Sequence, residues 1–414
     1  MNPLSKVKTL LSGGPMGIAR RVIADPTLRT TMIFGLSGLA FALGNLFLAR
    51  TMSVDAFGKF ALAIALFNVF GLLTPLGIDQ AILRHRIDPG PRLLLMICST
   101  GVLIGLAIGT LFWLYTDVHV LNVWSLALSI ASGGVITTLM ALARAQHREY
   151  VALLLATMAS WALLAIGIAS FVFPMTHAFY PIALFGIANF AAAVVGWILL
   201  SKAHRVPLHE RARIPWAESW SLLGIATIGT LTLQLERLII PPTIGLPELA
   251  LFSVLASVAI FPFRLLTASA GFSLVPKLRA ATCRKEKLVM IRRELMSVGI
   301  LTVLSSLCIV MIVPTVTDLF TGGRYQIGFG LALAACMNGY SKVMQTFPRA
   351  LITACGSDQE IAKLNKLGWI GLCTSVIGGF VGAQWALTGL LYGVAIGSLV
   401  GTIPAMALAR KVLK

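Results

Sequence analysis

Charged residues are scarce in this chain of 414 residues: Asp, Glu, Lys and Arg make up only 12% of it, and 15 residues are acidic. Soluble domains carry about twice that share of charge. Hydrophobic residues take the place of the missing charges, since they make up 57% of the chain and give it a mean hydropathy of +0.89. The composition excludes an ordinary soluble domain and predicts a membrane protein.

Paired cysteines and clustered histidines are also missing. The six cysteines include no C-x-x-C pair, and the six histidines are scattered without an H-E-x-x-H arrangement. Zinc sites depend on such spacings, and disulfides depend on cysteines that can pair. We therefore expect neither a metal site nor a cofactor.

Long apolar runs fill the chain instead. Crossing the hydrocarbon core takes roughly 20 apolar residues at 1.5 Å each, and about twelve runs reach that length. They lie near 30–49, 57–78, 93–115, 121–143, 150–173, 178–200, 216–240, 248–272, 295–317, 327–347, 366–384 and 387–408. The sequence thus predicts an all-α polytopic membrane protein with about twelve transmembrane helices.

The 33 Lys and Arg residues are distributed unevenly between these runs. Alternate gaps and the two ends of the chain hold 27 of them, whereas the gaps in between hold only Arg50, Lys59 and Arg324. Because cytoplasmic loops retain Lys and Arg, both termini are predicted to be cytoplasmic. The net charge of +18 is spread over short loops, so it indicates contact with anionic membrane lipids and no nucleic acid as partner.

Two weak internal repeats divide the chain. An offset of 192 superposes 55–60 on 247–252 and sets Asn45 opposite Arg237, and an offset of 209 superposes 142–147 on 351–356. Transporters are often built from two related bundles, so we predict two lobes with basic flanking segments. The parts are a basic amphipathic cytoplasmic segment at 1–29, an N-terminal six-helix lobe at 30–200, a basic cytoplasmic linker at 201–215, and a C-terminal six-helix lobe with a cytoplasmic tail at 216–414.

Three cations remain inside predicted helices, namely Arg237, Arg264 and Lys342. An ionisable group in hydrocarbon costs several kcal/mol and normally faces a cavity, a partner or a substrate. Lys342 shares one helix face with Asn338 and Gln345, which stand at spacings i, i+4 and i+7. This polar stripe predicts a wet cavity, with interfacial snorkelling of the cations as the alternative.

Glu236 is the one carboxylate predicted within a helix of the C-terminal half. It is a candidate for proton or sodium coupling or for a salt bridge. Its neighbour Arg237 points about 100° away around the helix, so the two should not simply neutralise each other. Asn45, Asn68 and Gln234 are further candidates for the cavity lining, and ordinary interhelical hydrogen bonds suit the two asparagines equally well.

Three motifs resemble a known family. The stretch FLARTMSVDAFGKFAL at 47–62 is similar to the family's R-x-L-x-x-x-x-Y-G-x-F turn, and LGIDQAILR at 76–84 is similar to L-G-L-x-x-A-L-V-R. QLERLII at 234–240 is similar to Q-x-D-R-L-L-L. Phe57 replaces the common tyrosine and Glu236 the usual aspartate. Over about residues 30–410 the chain resembles the Wzx-type polysaccharide or oligosaccharide flippases of the multidrug/oligosaccharidyl-lipid/polysaccharide (MOP) exporter superfamily.

This resemblance implies a MATE/MOP-like fold in a bacterial inner membrane. It implies that the chain flips an undecaprenyl-pyrophosphate-linked oligosaccharide to the outer leaflet by alternating access, for the biosynthesis of exopolysaccharide, capsule or O-antigen. The buried cations would then meet the pyrophosphate, because guanidinium and ammonium groups bind phosphate oxygens. A polysaccharide polymerase and the export machinery are implied as partners.

Two rival functions stay open. A cation-coupled exporter of drugs or other small molecules would share the fold but needs an acidic site in the first helices, and the predicted helix at 30–49 has no carboxylate. A membrane polysaccharide polymerase or ligase needs a large outer loop for its catalytic groups. The predicted outer gaps do not much exceed about a dozen residues, so we do not expect an enzyme.

Overall fold

Helices form almost all of the described structure. The computed structural model describes residues 26–201, 215–260, 262–263, 278 and 283–412. Most of the predicted N-terminal segment and linker, and the candidate Arg264, lie outside the described residues. The division into lobes and linker therefore stays a prediction, as does the cytoplasmic placement of the termini.

Seven helices make up the first half of the chain. They are α1 (Pro26–Thr51), α2 (Val54–Leu73), α3 (Ile78–His85), α4 (Gly90–Thr116), α5 (Leu121–Ala145), α6 (Glu149–Ala169) and α7 (Phe179–Ser201). All but the short α3 match one of the predicted apolar runs.

Six helices are described in the second half. They are α8 (Trp216–Ile244), α9 (Leu246–Leu255), α10 (Arg284–Thr321), α11 (Phe329–Cys355), α12 (Asp358–Gly382) and α13 (Ala386–Val412). A π-helical turn at Ala256–Ile260 continues α9, so the predicted run at 248–272 is described only in its first part. We call the end of the bundle with the α1–α2 connection the outer end and the opposite one the inner end, following the charge pattern.

Nine helical stretches in the described part are long and apolar enough to cross a membrane, one of them joining α12 and α13. The shorter stretch Leu246–Ile260 is apolar as well. The all-α polytopic architecture predicted from the sequence is confirmed.

The turn between α2 and α3 differs from the prediction, which let one helix run to residue 78. α2 ends at Leu73, two residues before Pro75, whose nitrogen has no hydrogen to donate to a further helical bond. Leu76 and Gly77 follow with left-handed φ angles of 53° and 78°. The chain turns there and continues as α3, whose first turn holds the buried Asp79. Asp79 accepts a hydrogen bond of 2.7 Å from Gln80, and burial raises the pKa of Asp79.

The two halves share one apolar core. Phe57 and Phe60 of α2 belong to the same continuous cluster of buried side chains as Leu249 and Phe252 of α9. Gly58 faces Leu246 so closely that a Cβ atom there would overlap the Leu246 carbonyl oxygen. α2 therefore packs directly on the C-terminal half.

Glycines set a close helix crossing, that of α12 with α13. Gly378 faces Gly393, and a Cβ atom on Gly378 would overlap the Gly393 carbonyl oxygen. Small residues let helix backbones approach in this way, which gains van der Waals contact where lipid offers no hydrophobic drive. The crossing leaves an apolar groove of about 510 Å³ between the two helices.

We expect Gly378→Ala to destabilise the protein by about 1–3 kcal/mol, because the added methyl group overpacks the crossing. The measurement is the Tm of the detergent-solubilised protein, followed by tryptophan fluorescence. Gly299→Ala on α10 is the matched control, since a Cβ atom there meets nothing within 4 Å and alanine favours the helix. An unchanged Tm for Gly378→Ala would contradict the packing described here.

Candidate functional site

A buried ion pair joins α8 to α11. The Nζ atom of Lys342 lies 2.8 Å from Oε1 and 2.9 Å from Oε2 of Glu236. The side-chain amide of Asn338 donates a further hydrogen bond of 2.8 Å to Oε1 of Glu236. Glu236 is 1% exposed and Lys342 8%. The salt bridge left open for Glu236 by the sequence is therefore present, and its partner comes from another helix.

Helix geometry brings these groups together. Asn338 and Lys342 are one turn apart on α11, so both side chains leave the helix on the same face. Between them Gly339 lies against the ring of Phe263, and a Cβ atom at Gly339 would overlap that ring. The face of α11 next to the ion pair is thus packed closely on the residues that follow the π-helical turn of α9.

The polar face of α11 continues toward the inner end. Gln345 donates a long hydrogen bond of 3.4 Å to the carbonyl of Ser398 on α13. Gln345 and Arg349 line a small cavity together with Thr232, which lies one turn before Glu236 on α8. Its volume of about 20 Å³ is enough for about one water molecule. A polar column therefore runs from the ion pair toward the inner end, between α8, α11 and the last two helices.

The sequence prediction missed Arg349, which was counted among the cations of an inner loop. The structure places it within α11, where it lines the cavity. The signal was present, because 338, 342, 345 and 349 continue the same helical spacing. Helix α11 also runs through Pro348 to Cys355, so the predicted end at residue 347 was too early.

The other predicted site residues lie on α1, α2 and α8. Asn45 is buried, and its side-chain amide donates a hydrogen bond of 2.8 Å to the carbonyl of Phe41 in its own helix. Asn68 is half-buried on α2. Gln234 is 7% exposed, and its side-chain oxygen has no hydrogen-bond partner among the described residues. Arg237 is buried on α8, at 3% exposed.

The ion pair determines how substitutions of Glu236 and Lys342 affect the stability of the protein. A buried charge left without its partner costs about 3–5 kcal/mol, whereas replacing both members by neutral groups of similar size can be nearly free. Loss of Lys342 alone would strand the Glu236 carboxylate. Single substitutions at this pair therefore report mainly on folding.

We expect Lys342→Met to lower the free energy of unfolding by about 3–5 kcal/mol and the double variant Glu236→Gln, Lys342→Met to recover most of that loss. The measurement is a double-mutant cycle of Tm values in detergent, with Glu236→Gln as the fourth corner. Additive losses in the double variant would mean that the two side chains do not depend on each other.

No family model matches the sequence, and no curated protein sequence matches it. Solved structures do match. The fold is similar to a multidrug resistance MATE family transporter of the MOP superfamily in its inward-facing conformation, at 14% identity, 91% of this chain, 94% of that chain and a TM-score of 0.66. The outward-facing conformation of such a transporter matches at 13% identity, 94% of this chain, 96% of that chain and a TM-score of 0.55.

The lipid II flippase MurJ in an inward closed conformation is similar as well. It matches at 12% identity over 93% of this chain and 90% of that chain, with a TM-score of 0.68. The predicted MATE/MOP-like fold is thus confirmed. The resemblance to the polysaccharide flippases rests on the sequence motifs alone and stays a prediction.

Proposed function

We propose that this chain flips a lipid-linked oligosaccharide with a pyrophosphate headgroup across a bacterial inner membrane, for the synthesis of a surface polysaccharide. One observation carries the proposal. In the part of the chain that the structure describes, the charged side chains buried within the long helices are two cations, Arg237 and Lys342, and one carboxylate, Glu236. Buried charges in membrane helices normally serve a substrate or an ion, and an excess of cations suits an anionic headgroup.

Arg237 is the better headgroup ligand of the two cations. Its guanidinium presents a planar fork of donors that matches two phosphate oxygens at once. Lys342 contacts the Glu236 carboxylate at 2.8 Å, and its ammonium group lacks the planar fork of a guanidinium. We assign Arg237, and Arg264 from its place in the sequence, to the headgroup.

The Glu236–Lys342 pair suits a coupling role instead. A proton on Glu236 would remove the charge that holds Lys342, which would weaken the tie between α8 and α11. The small cavity lined by Thr232, Gln345 and Arg349 lies one turn from the pair on both α8 and α11, which supports a route for a proton on that side. Energy coupling is thus assigned to the C-terminal half.

Alternating access is the transport cycle that we propose. The fold has a higher TM-score to the inward-facing MATE structure than to the outward-facing one, 0.66 against 0.55, and MurJ in its inward closed conformation supports the same assignment. We infer that the arrangement described here belongs to the inward side of the cycle. Return to it follows release of cargo at the outer leaflet.

A cation-coupled drug exporter is the second candidate, supported by the likeness to multidrug MATE transporters. The first two helices supply little support for it. α1 contains no Asp or Glu, and in α2 the acidic residue Asp55 lies in the first turn, 2.9 Å from Lys59. An acidic cation site is thus not found along the described lengths of α1 and α2.

Deleting the gene is expected to abolish the surface polysaccharide and to leave lipid-linked oligosaccharide on the cytoplasmic leaflet. Complementation with Arg237→Gln or Arg264→Gln should restore about tenfold less polymer than wild type, because a charge-assisted hydrogen bond contributes about 1.5–3 kcal/mol. The exposed Arg92 on α4 offers the matched control Arg92→Gln, which should restore wild-type levels.

Polymer amount and membrane-inserted protein are measured in the same cells, so that a loss of transport is separated from a loss of protein. Wild-type polymer in both well-inserted arginine variants would refute the headgroup role. Drug sensitivity of the deletion strain with unchanged glycan would favour the exporter.

A further inference from the structure

The connection between α10 and α11 reaches across to the N-terminal half at the outer end. Arg324 lies in this connection, and its guanidinium donates a hydrogen bond of 2.8 Å to the carbonyl of Met52. Met52 directly follows the last residue of α1. The final carbonyls of a helix lack intrahelical donors and carry partial negative charge. A cation from one half of the chain therefore caps a helix of the other half.

Tyr325 adds an apolar contact beside this cap. Its ring is 5% exposed and meets the ring of Phe57 edge to face, with 6.4 Å between centroids. The phenol oxygen has no hydrogen-bond partner among the residues that the structure describes. Burial raises the pKa of Tyr325 to about 12, so the side chain stays neutral at any physiological pH. Tyr325 therefore contributes the packing of its ring, and its hydroxyl makes no hydrogen bond to the described residues.

The backbone before Arg324 is set by a tight helix end. Gly322 and Gly323 take left-handed φ angles of 66° and 77°. Their backbone amides donate hydrogen bonds of 2.9 Å and 3.2 Å to the carbonyl of Asp318. Glycine adopts this geometry without strain, and paired bonds of this kind are how helices commonly end. The position of Arg324 is thus fixed by the end of α10.

A second set of contacts lies next to the first. The guanidinium of Arg50 points at the carbonyl of Leu319, 3.5 Å away, and the rings of Phe47 and Phe320 are 6.3 Å apart. These contacts join the last turns of α1 and α10. The outer end is therefore closed by side chains of both halves.

The inner end holds a weaker contact of the same kind. Glu218 at the start of α8 forms an ion pair of 2.9 Å with Arg84 and shares a hydrogen bond of 2.8 Å with His85. The three side chains are 27%, 67% and 42% exposed, and exposed ion pairs contribute little to stability. None of these three side chains is buried as the ring of Tyr325 is.

We propose that Arg324 and Tyr325, with Met52 and Phe57 as their receivers, form an outer latch that holds the outer end closed and is released once in every transport cycle. The latch rests on the alternating access proposed above. Arg324 and Tyr325 would then set the balance between the inward and outward states. The two halves would separate at the C-terminal end of α1.

The latch is tested by distances in the purified protein without cargo. Spin labels are attached at His119→Cys, in the α4–α5 connection, and at Gln384→Cys, in the α12–α13 connection, after the six native cysteines are replaced. Both positions are exposed at the outer end. Double electron–electron resonance then gives the populations of the short and long distances.

Arg324→Gln is expected to raise the ratio of long to short distances about three- to tenfold, as for loss of one hydrogen bond. Tyr325→Ala should raise it by about tenfold or more, because the buried ring is lost. Arg324→Lys keeps a cation and a donor and should restore most of the wild-type ratio. Tyr325→Phe is the matched control with no expected change, because the hydroxyl that it removes has no partner among the described residues.

Wild-type distance distributions in Arg324→Gln would overturn the latch, and so would equal opening in Tyr325→Phe and Tyr325→Ala. If Tyr325→Ala is not recovered as a monodisperse protein, the comparison of Arg324→Gln with Arg324→Lys decides alone. The proposed cargo is tested separately. If the distances shift but gene deletion leaves the polysaccharide unchanged, the latch stands and the flippase function is refuted. If gene deletion abolishes the polysaccharide but the distances do not shift, only the latch is refuted.

Discussion

The ion pair between Glu236 and Lys342 ties together two helices that meet very different surroundings. α8 packs on α2 of the N-terminal half and receives the inner ion pairs at its first turn. α11 begins just after the connection that carries Arg324 and continues along the polar column. A buried pair of charges tolerates little separation, because each charge left alone meets a medium of low dielectric. The pair therefore fixes how far the inter-half contacts of α8 can move relative to the start of α11.

The two halves differ in polar content although both are built from long apolar helices. Asn45 on α1 stands opposite Arg237 in the internal repeat, and its amide is satisfied by a carbonyl of its own helix. Arg237 directly follows Glu236 in the second half of the chain, which also holds the cavity large enough for about one water molecule. Among the described residues, the buried charges of the long helices lie in the second half of the chain.

Much of this fold could be predicted from the sequence because hydrophobic length is a local property. Every predicted apolar run meets a helix, and the stripe of Asn338, Lys342 and Gln345 was visible from spacing alone. The partner of Lys342 could not be predicted, because Glu236 is 106 residues away. The sequence around Glu236 does not distinguish a salt-bridge carboxylate from an ion-coupling one. Arg324 was set aside as an ordinary outer cation, because its receiver is a backbone carbonyl, which leaves no trace in side-chain patterns.

Helix α10 is 38 residues long, which at 1.5 Å per residue is about 57 Å, whereas the hydrocarbon core is about 30 Å thick. It ends at the outer connection with Arg324, and its opposite end carries Lys285, Lys287, Arg292 and Arg293. One continuous helix, with Pro314 inside it, thus runs from the outer connection to a cluster of cations at the inner end. A change in the tilt of α10 would therefore move its cationic end and the connection that carries Arg324 together.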